Sequence, residues 1–130
     1  MRANLLWLLC ILVASGCAEL PRQSPEHAAR MQQAGDAYTG CLAQQANADA
    51  NSTAPAEEVA LAAHGHCWPT WDAYRESVRS NFFFDARTPE EKQLANDRSV
   101  AHLRDFEAEA RRTLVDSMIE RTLKRGVADK

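Results

Sequence analysis

The sequence predicts an all-α domain, a small helical bundle or hairpin, on three observations. Apolar residues recur at steps of three and four in successive stretches between residues 24 and 125, the spacing of one helix face. Pro25, Pro55 and Pro89 each stand where a helix opens, the one helical site that tolerates proline well. No stretch sustains the apolar–polar alternation of a half-buried strand.

The first element is a leader. Met1-Arg2-Ala3-Asn4 precedes the apolar run 5–13, which closes on Ala14-Ser15-Gly16-Cys17. One positive charge, a short apolar stretch and small residues match the layout of a secretory signal. The run is too short to span a bilayer, which takes roughly 20 apolar residues. With Cys17 directly after Ala-Ser-Gly, the segment resembles the lipobox of bacterial lipoproteins, although Ala14 stands where that family most often has Leu. The resemblance covers residues 1–17 only. It implies a signal peptide over 1–16, cleavage before Cys17, a thioether-linked diacylglycerol on Cys17 and a further fatty acid such as palmitate on the new amino group. Ala18, in place of an Asp that favours inner-membrane retention, implies the outer membrane facing the periplasm. Ala14-Ser15-Gly16 also fits an ordinary secretory cleavage site. Residues 18–23 form a tether reaching about 20–25 Å at full extension.

Cys10 then leaves with the leader and Cys17 carries lipid, so Cys41 and Cys67 remain as an even pair in a compartment that oxidises thiols. A Cys41–Cys67 disulfide between helices is expected.

Residues 24–130 form one domain. Ser24-Pro25-Glu26 starts the first helix, and Ala28, Met31, Ala34, Tyr38 and Cys41 make its apolar stripe, which fades through Gln44-Gln45 into a polar connection over 46–53. Pro55 with Glu57 and Glu58 opens the second, whose first-turn acids suit the helix dipole. Val59, Ala63 and Cys67 share a face. The two cysteines meet only if one helix shifts or ends early, because positions about ten residues before and sixteen after the centre of the connection are out of register in a hairpin. Pro69 interrupts the pattern and biases Trp68 away from helical angles. Trp71, Tyr74, Val78 and Phe82 form the third stripe, and Phe82-Phe83-Phe84 cannot all face one core. Thr88-Pro89-Glu90-Glu91 is a capping box. The helix it opens is expected to run to Arg125 and stop at Gly126. Its stripe is Leu103, Phe106, Ala110, Leu114 and Met118, widened by Val100, Val115 and Ile119.

Removing residues 1–16, whose one charge is Arg2, leaves 114 residues with 14 basic and 18 acidic side chains, a net of −4. That excludes the basic footprint of a nucleic-acid binder. No phosphate loop, dinucleotide turn or Gly-x-Ser-x-Gly elbow is present, and no catalytic residue, metal site or cofactor is expected. His64-Gly65-His66-Cys67 has the residue types of a metal site, but side chains two apart on a helix diverge and a structural zinc needs four convergent ligands. His102 sits on a charged helix beside Arg104 and Asp105 without a recognisable catalytic partner, and His27, in the first turn of a helix, reads as a solvated side chain. The aromatic crowd Trp68, Trp71, Phe82, Phe83 and Phe84 reads mainly as core, with a partner-binding or membrane-facing patch as its functional alternative. The expected function is that of a small, non-enzymatic, periplasm-facing lipoprotein acting by protein–protein contact. It would serve as an accessory subunit of an envelope assembly or as an inhibitor or immunity-type factor. The alternative is a metal- or small-ligand-binding periplasmic protein using His64 and His66.

Overall fold

A computed structural model describes residues 24–50 and 52–128. The leader, Cys17 and the tether lie outside the described residues. Four helices follow one another: α1 (Pro25–Ala48), α2 (Ala56–His66), α3 (Trp68–Phe83) and α4 (Pro89–Ala128). Among the described residues there is no strand, so the chain is all-α.

The contacts between helices set the topology. His27 meets Phe84, Tyr38 meets Trp71 and His64, and Cys41 meets Cys67. As the number rises on α1 it falls on the partner, so α2 and α3 together form one arm antiparallel to α1. Helix α4 returns alongside α1. Tyr38 faces Phe106, Arg121 pairs with Asn47, and Arg125 reaches Ala50. The result is an up–down–up bundle whose middle arm is broken at Cys67.

That break differs from the expected one. Helix α3 already begins at Trp68, with Pro69 near its N-terminus, and the non-helical backbone is at Cys67, with φ −92° and ψ 13°. Proline costs nothing extra there, because the first amide groups of a helix have no intrahelical acceptor. The early end of α2 removes the register conflict between the cysteines. They are joined, with Cα atoms 5.9 Å apart.

Two other boundaries move. Helix α1 continues through Gln44-Gln45 to Ala48, because Leu42 and Ala46 carry the stripe onward and are buried. Helix α4 passes through Gly126 to Ala128; glycine inside a helix costs only about 1 kcal/mol and does not force a stop. At its other end the capping box is complete. The Glu91 amide donates to Thr88 Oγ1 at 3.2 Å, while Glu91 Oε2 accepts from the Thr88 and Arg87 amides at 2.9 and 2.7 Å. These backbone donors hold the Glu91 carboxyl below its ordinary pKa.

The core runs from Tyr38, Leu42 and Ala46 through Ala60, Ala63 and Cys67 to Trp71, Tyr74, Val78 and Leu114. Small residues on α1 and α2 let those helices approach, and the aromatic rings fill the wider space beyond. Tyr74 lies 4.3 Å from Phe106 and Tyr38 5.0 Å from Trp71, centroid to centroid.

Gly35 lets α1 close on this aromatic layer. A Cβ at that position would sit 3.2 Å from Tyr74 and 3.3 Å from Phe106, whereas one at Gly40, in the same helix, would touch nothing within 4 Å. Gly35→Leu is therefore expected to cost about 1–3 kcal/mol or more through overpacking. Gly40→Ala should stabilise by about 0.5–1 kcal/mol through helix propensity alone. Urea denaturation of the two variants checks both signs.

Candidate functional site

The last third of α4 carries Ile119 and Leu123 one turn apart, 48% and 65% exposed. Opposite them lie Ala54 and Ala56, at the end of the α1–α2 connection and the start of α2, with Val59 one turn further on. Met118 and Thr122 complete an open groove of about 280 Å³. Its lining contains one hydroxyl and no ionisable side chain, so it can receive an apolar side chain or helix face and cannot move a proton.

Two arginines beside the groove tie α4 to the C-terminal end of α1. Arg121 donates to Asn47 Oδ1 and to the Ser117 carbonyl, and Arg125 donates to the Ala50 carbonyl at 2.9 Å. Both cations sit by the C-terminal end of α1, where the helix dipole favours positive charge. The groove therefore lies at the end of the bundle opposite the N-terminus of α1.

Deeper in the bundle are two tyrosine–histidine pairs. Tyr38 Oη is 2.8 Å from His64 Nδ1, and Tyr74 Oη is 2.8 Å from His102 Nε2. Burial pushes both phenols up to about 12, with Glu107 adding to the effect on Tyr38 and Arg111 opposing it. Each hydroxyl thus stays protonated through neutral pH. It donates to the imidazole nitrogen when that nitrogen is bare and accepts when it carries the proton. His102, which the sequence leaves without a recognisable partner, is half-buried among Tyr74, Phe82 and Phe106. His27, expected to be solvated, packs edge-to-face with Phe84, with ring centroids 4.7 Å apart, and its Nδ1 is buried with no hydrogen-bond partner.

The His64–Cys67 cluster is pulled apart by the same contacts. His64 turns inward to Tyr38, His66 is exposed, and Cys67 is in the disulfide. Among the described residues no group of three or more His, Cys, Asp or Glu side chains could hold a metal ion.

The aromatic crowd also separates. Trp71 is 5% exposed and belongs to the core, so it is not a surface residue. Phe82 and Phe83 are half-buried. Trp68 and Phe84 are about half exposed, at 49% and 51%, but sixteen helical residues place them roughly 24 Å apart at opposite ends of α3. They are two features and not one patch. Arg75 lies over Trp68 and Arg79 over Phe83, with the guanidinium carbons 5.9 and 5.4 Å from the ring centroids.

The groove did not emerge from periodicity. Ile119 reads as the edge of a core stripe, and Leu123 falls one turn beyond it, on the same flank of α4. Only the packing of the α1–α2 connection shows that this flank borders a hollow.

Comparison with protein-family models, with curated proteins and with solved structures returned no match. Among the described residues no helix is long and apolar enough to cross a membrane.

Proposed function

We propose that the protein is a small, non-enzymatic lipoprotein of the bacterial envelope, anchored through Cys17, that works by holding a protein partner. The groove of Val59, Met118, Ile119 and Leu123 carries this reading. It is an exposed apolar recess at the end of the bundle away from the tether, offering shape and apolar surface but no reactive group. Apolar recesses rimmed by polar side chains are where partner proteins seat their anchoring residues. The disulfide supports the same setting, because such cross-links persist in oxidising compartments. An accessory subunit of an envelope assembly and an inhibitor or immunity-type factor both fit this description.

Two arms test it. Cys17→Ser should abolish acyl labelling and release the protein from membranes, since this reading assigns the anchoring to the acyl chains on Cys17; an acyl label that persists on the variant, or a wild-type protein that carries none, would refute the lipobox reading. Separately, a photo-crosslinking residue at Leu123 in cells should trap one discrete adduct, lost on Ile119→Asp, while the same residue at Asp97 traps none. Equal trapping at both positions, or trapping at neither, rules out contact through the groove.

A further inference from the structure

We propose that the opposite end of the bundle, formed by the start of α1, the end of α3 and the α3–α4 turn, lies against the lipid bilayer with Phe84 and Phe83 at its surface. The inference rests on the lipoprotein reading of Cys17 and adds a second, non-covalent membrane contact that orients the whole domain.

Chain length makes the first half of the case. Only residues 18–23 separate Cys17 from Ser24, a reach of about 20–25 Å at most. The tether joins the bundle at the N-terminus of α1, and Phe84 is close to that point. Its ring centroid is 4.7 Å from that of His27, in the first turn of α1. Helix α1, at 24 residues, extends about 36 Å from the junction. The lipid thus holds the phenylalanine end near the membrane whichever way the bundle leans.

Chemistry makes the second half. Phe84 is 51% exposed, at the end of a run that a helix cannot bury whole. Phe83 beside it is half-buried under the Arg79 guanidinium. An aromatic ring beside a cation is the pairing found at the level of lipid headgroups, where the ring enters the interface and the charge stays with the phosphates. Charge alone does not drive the contact. In the turns at this end Arg30, Arg79, Arg87 and Lys92 are matched by Glu26, Asp85, Glu90 and Glu91. The docking should therefore be apolar and insensitive to salt. With this end down, the groove at Ile119 and Leu123 points away from the membrane, towards anything that approaches from the compartment.

The test uses the mature acylated protein, reconstituted into vesicles of phosphatidylethanolamine and phosphatidylglycerol that carry a nitroxide on the lipid headgroup. With Cys17 acylated and Cys41 bonded to Cys67, the thiol introduced by Phe84→Cys or Leu123→Cys is the one available to a bimane dye. The label at 84 should lose much of its emission to the nitroxide, equally at low and high salt, while the label at 123 keeps it. An acylated, vesicle-bound protein whose label at 84 is unquenched overturns the inference and leaves the lipoprotein reading intact. Quenching at both positions means the bundle lies flat, which also overturns it. If the label at 84 is shielded from a membrane-impermeant quencher in cells but unquenched on protein-free vesicles, a protein covers this end and the bilayer does not. Failure of acylation, seen by mass before any dye is added, removes the lipoprotein reading itself.

Discussion

Replacing Cys41 and Cys67 together by alanine is expected to lower the free energy of unfolding by about 3–4 kcal/mol. The cross-link spans 26 residues, and the chain-entropy model assigns a loop of that size roughly 3.5 kcal/mol, through the freedom it removes from the unfolded chain. Against a stability of about 5–15 kcal/mol for a single domain, that is a large share. The melting temperature should drop by roughly 15–25 °C. The loss should also be uneven along the chain. Helix α2 has 11 residues, too few to persist alone in water, and the disulfide ties its C-terminal corner to the last third of α1. Amide exchange should therefore rise first over 56–66, before α4 is affected. Urea titration of the double variant, beside the wild type with and without reductant, measures the effect. A loss below about 1 kcal/mol, or two free thiols in the untreated protein, is incompatible with the cross-link as the main staple of the fold.

Much of the architecture was legible because its signals are local. The capping box at Thr88 and Glu91 is written in four adjacent residues and depends on nothing distant. The stripes on α1 and α3 could be read because apolar side chains recur on one face. The failures come from choices that only packing makes. On α4 the inward sequence includes Ala95, Ser99, Leu103, Phe106, Ala110 and Leu114, and Val100 is 58% exposed. Hydrophobicity alone prefers the valine. The position one step away goes inward with the register of Ala95 and Leu103, and its serine tolerates burial because its hydroxyl donates to the Asn96 carbonyl, 2.8 Å away. Gly35 is silent for a related reason, since nothing local says that two aromatic rings will press on it. The histidines mislead by type. His64, His66 and Cys67 have the chemistry of ligands, but direction decides, and a tyrosine 26 residues away in sequence claims the first of them. The groove was least legible of all, because it is a hollow between elements and no element's periodicity records it.

The second large effect is alkaline. Stability should fall steeply between pH 10 and 12, because the chain's two tyrosines are both buried and both keep their protons up to about 12 in the fold. In the unfolded chain they ionise near 10. Below pH 10 both states hold the phenolic protons and the two groups contribute no pH dependence. Between 10 and 12 the unfolded state holds fewer protons than the folded one, so each further rise in pH favours unfolding. Each tyrosine then contributes a loss of up to about 1.4 kcal/mol per pH unit, and the pair up to roughly 5 kcal/mol by pH 12. The lysines also titrate in this range, so the comparison that isolates the phenols is the Tyr38→Phe, Tyr74→Phe double variant. It should be less stable at pH 7, having lost both bonds to His64 and His102, yet show a much flatter decline above pH 10. Tyrosinate absorbance supplies the independent check. It should stay low in the folded protein at pH 10.5 and appear together with the loss of helical signal. Phenols that ionise near pH 10 while the helices remain intact would mean that water reaches the Tyr38–His64 and Tyr74–His102 pairs. The aromatic layer closed by Gly35 and Phe106 would then be far looser than the packing described here.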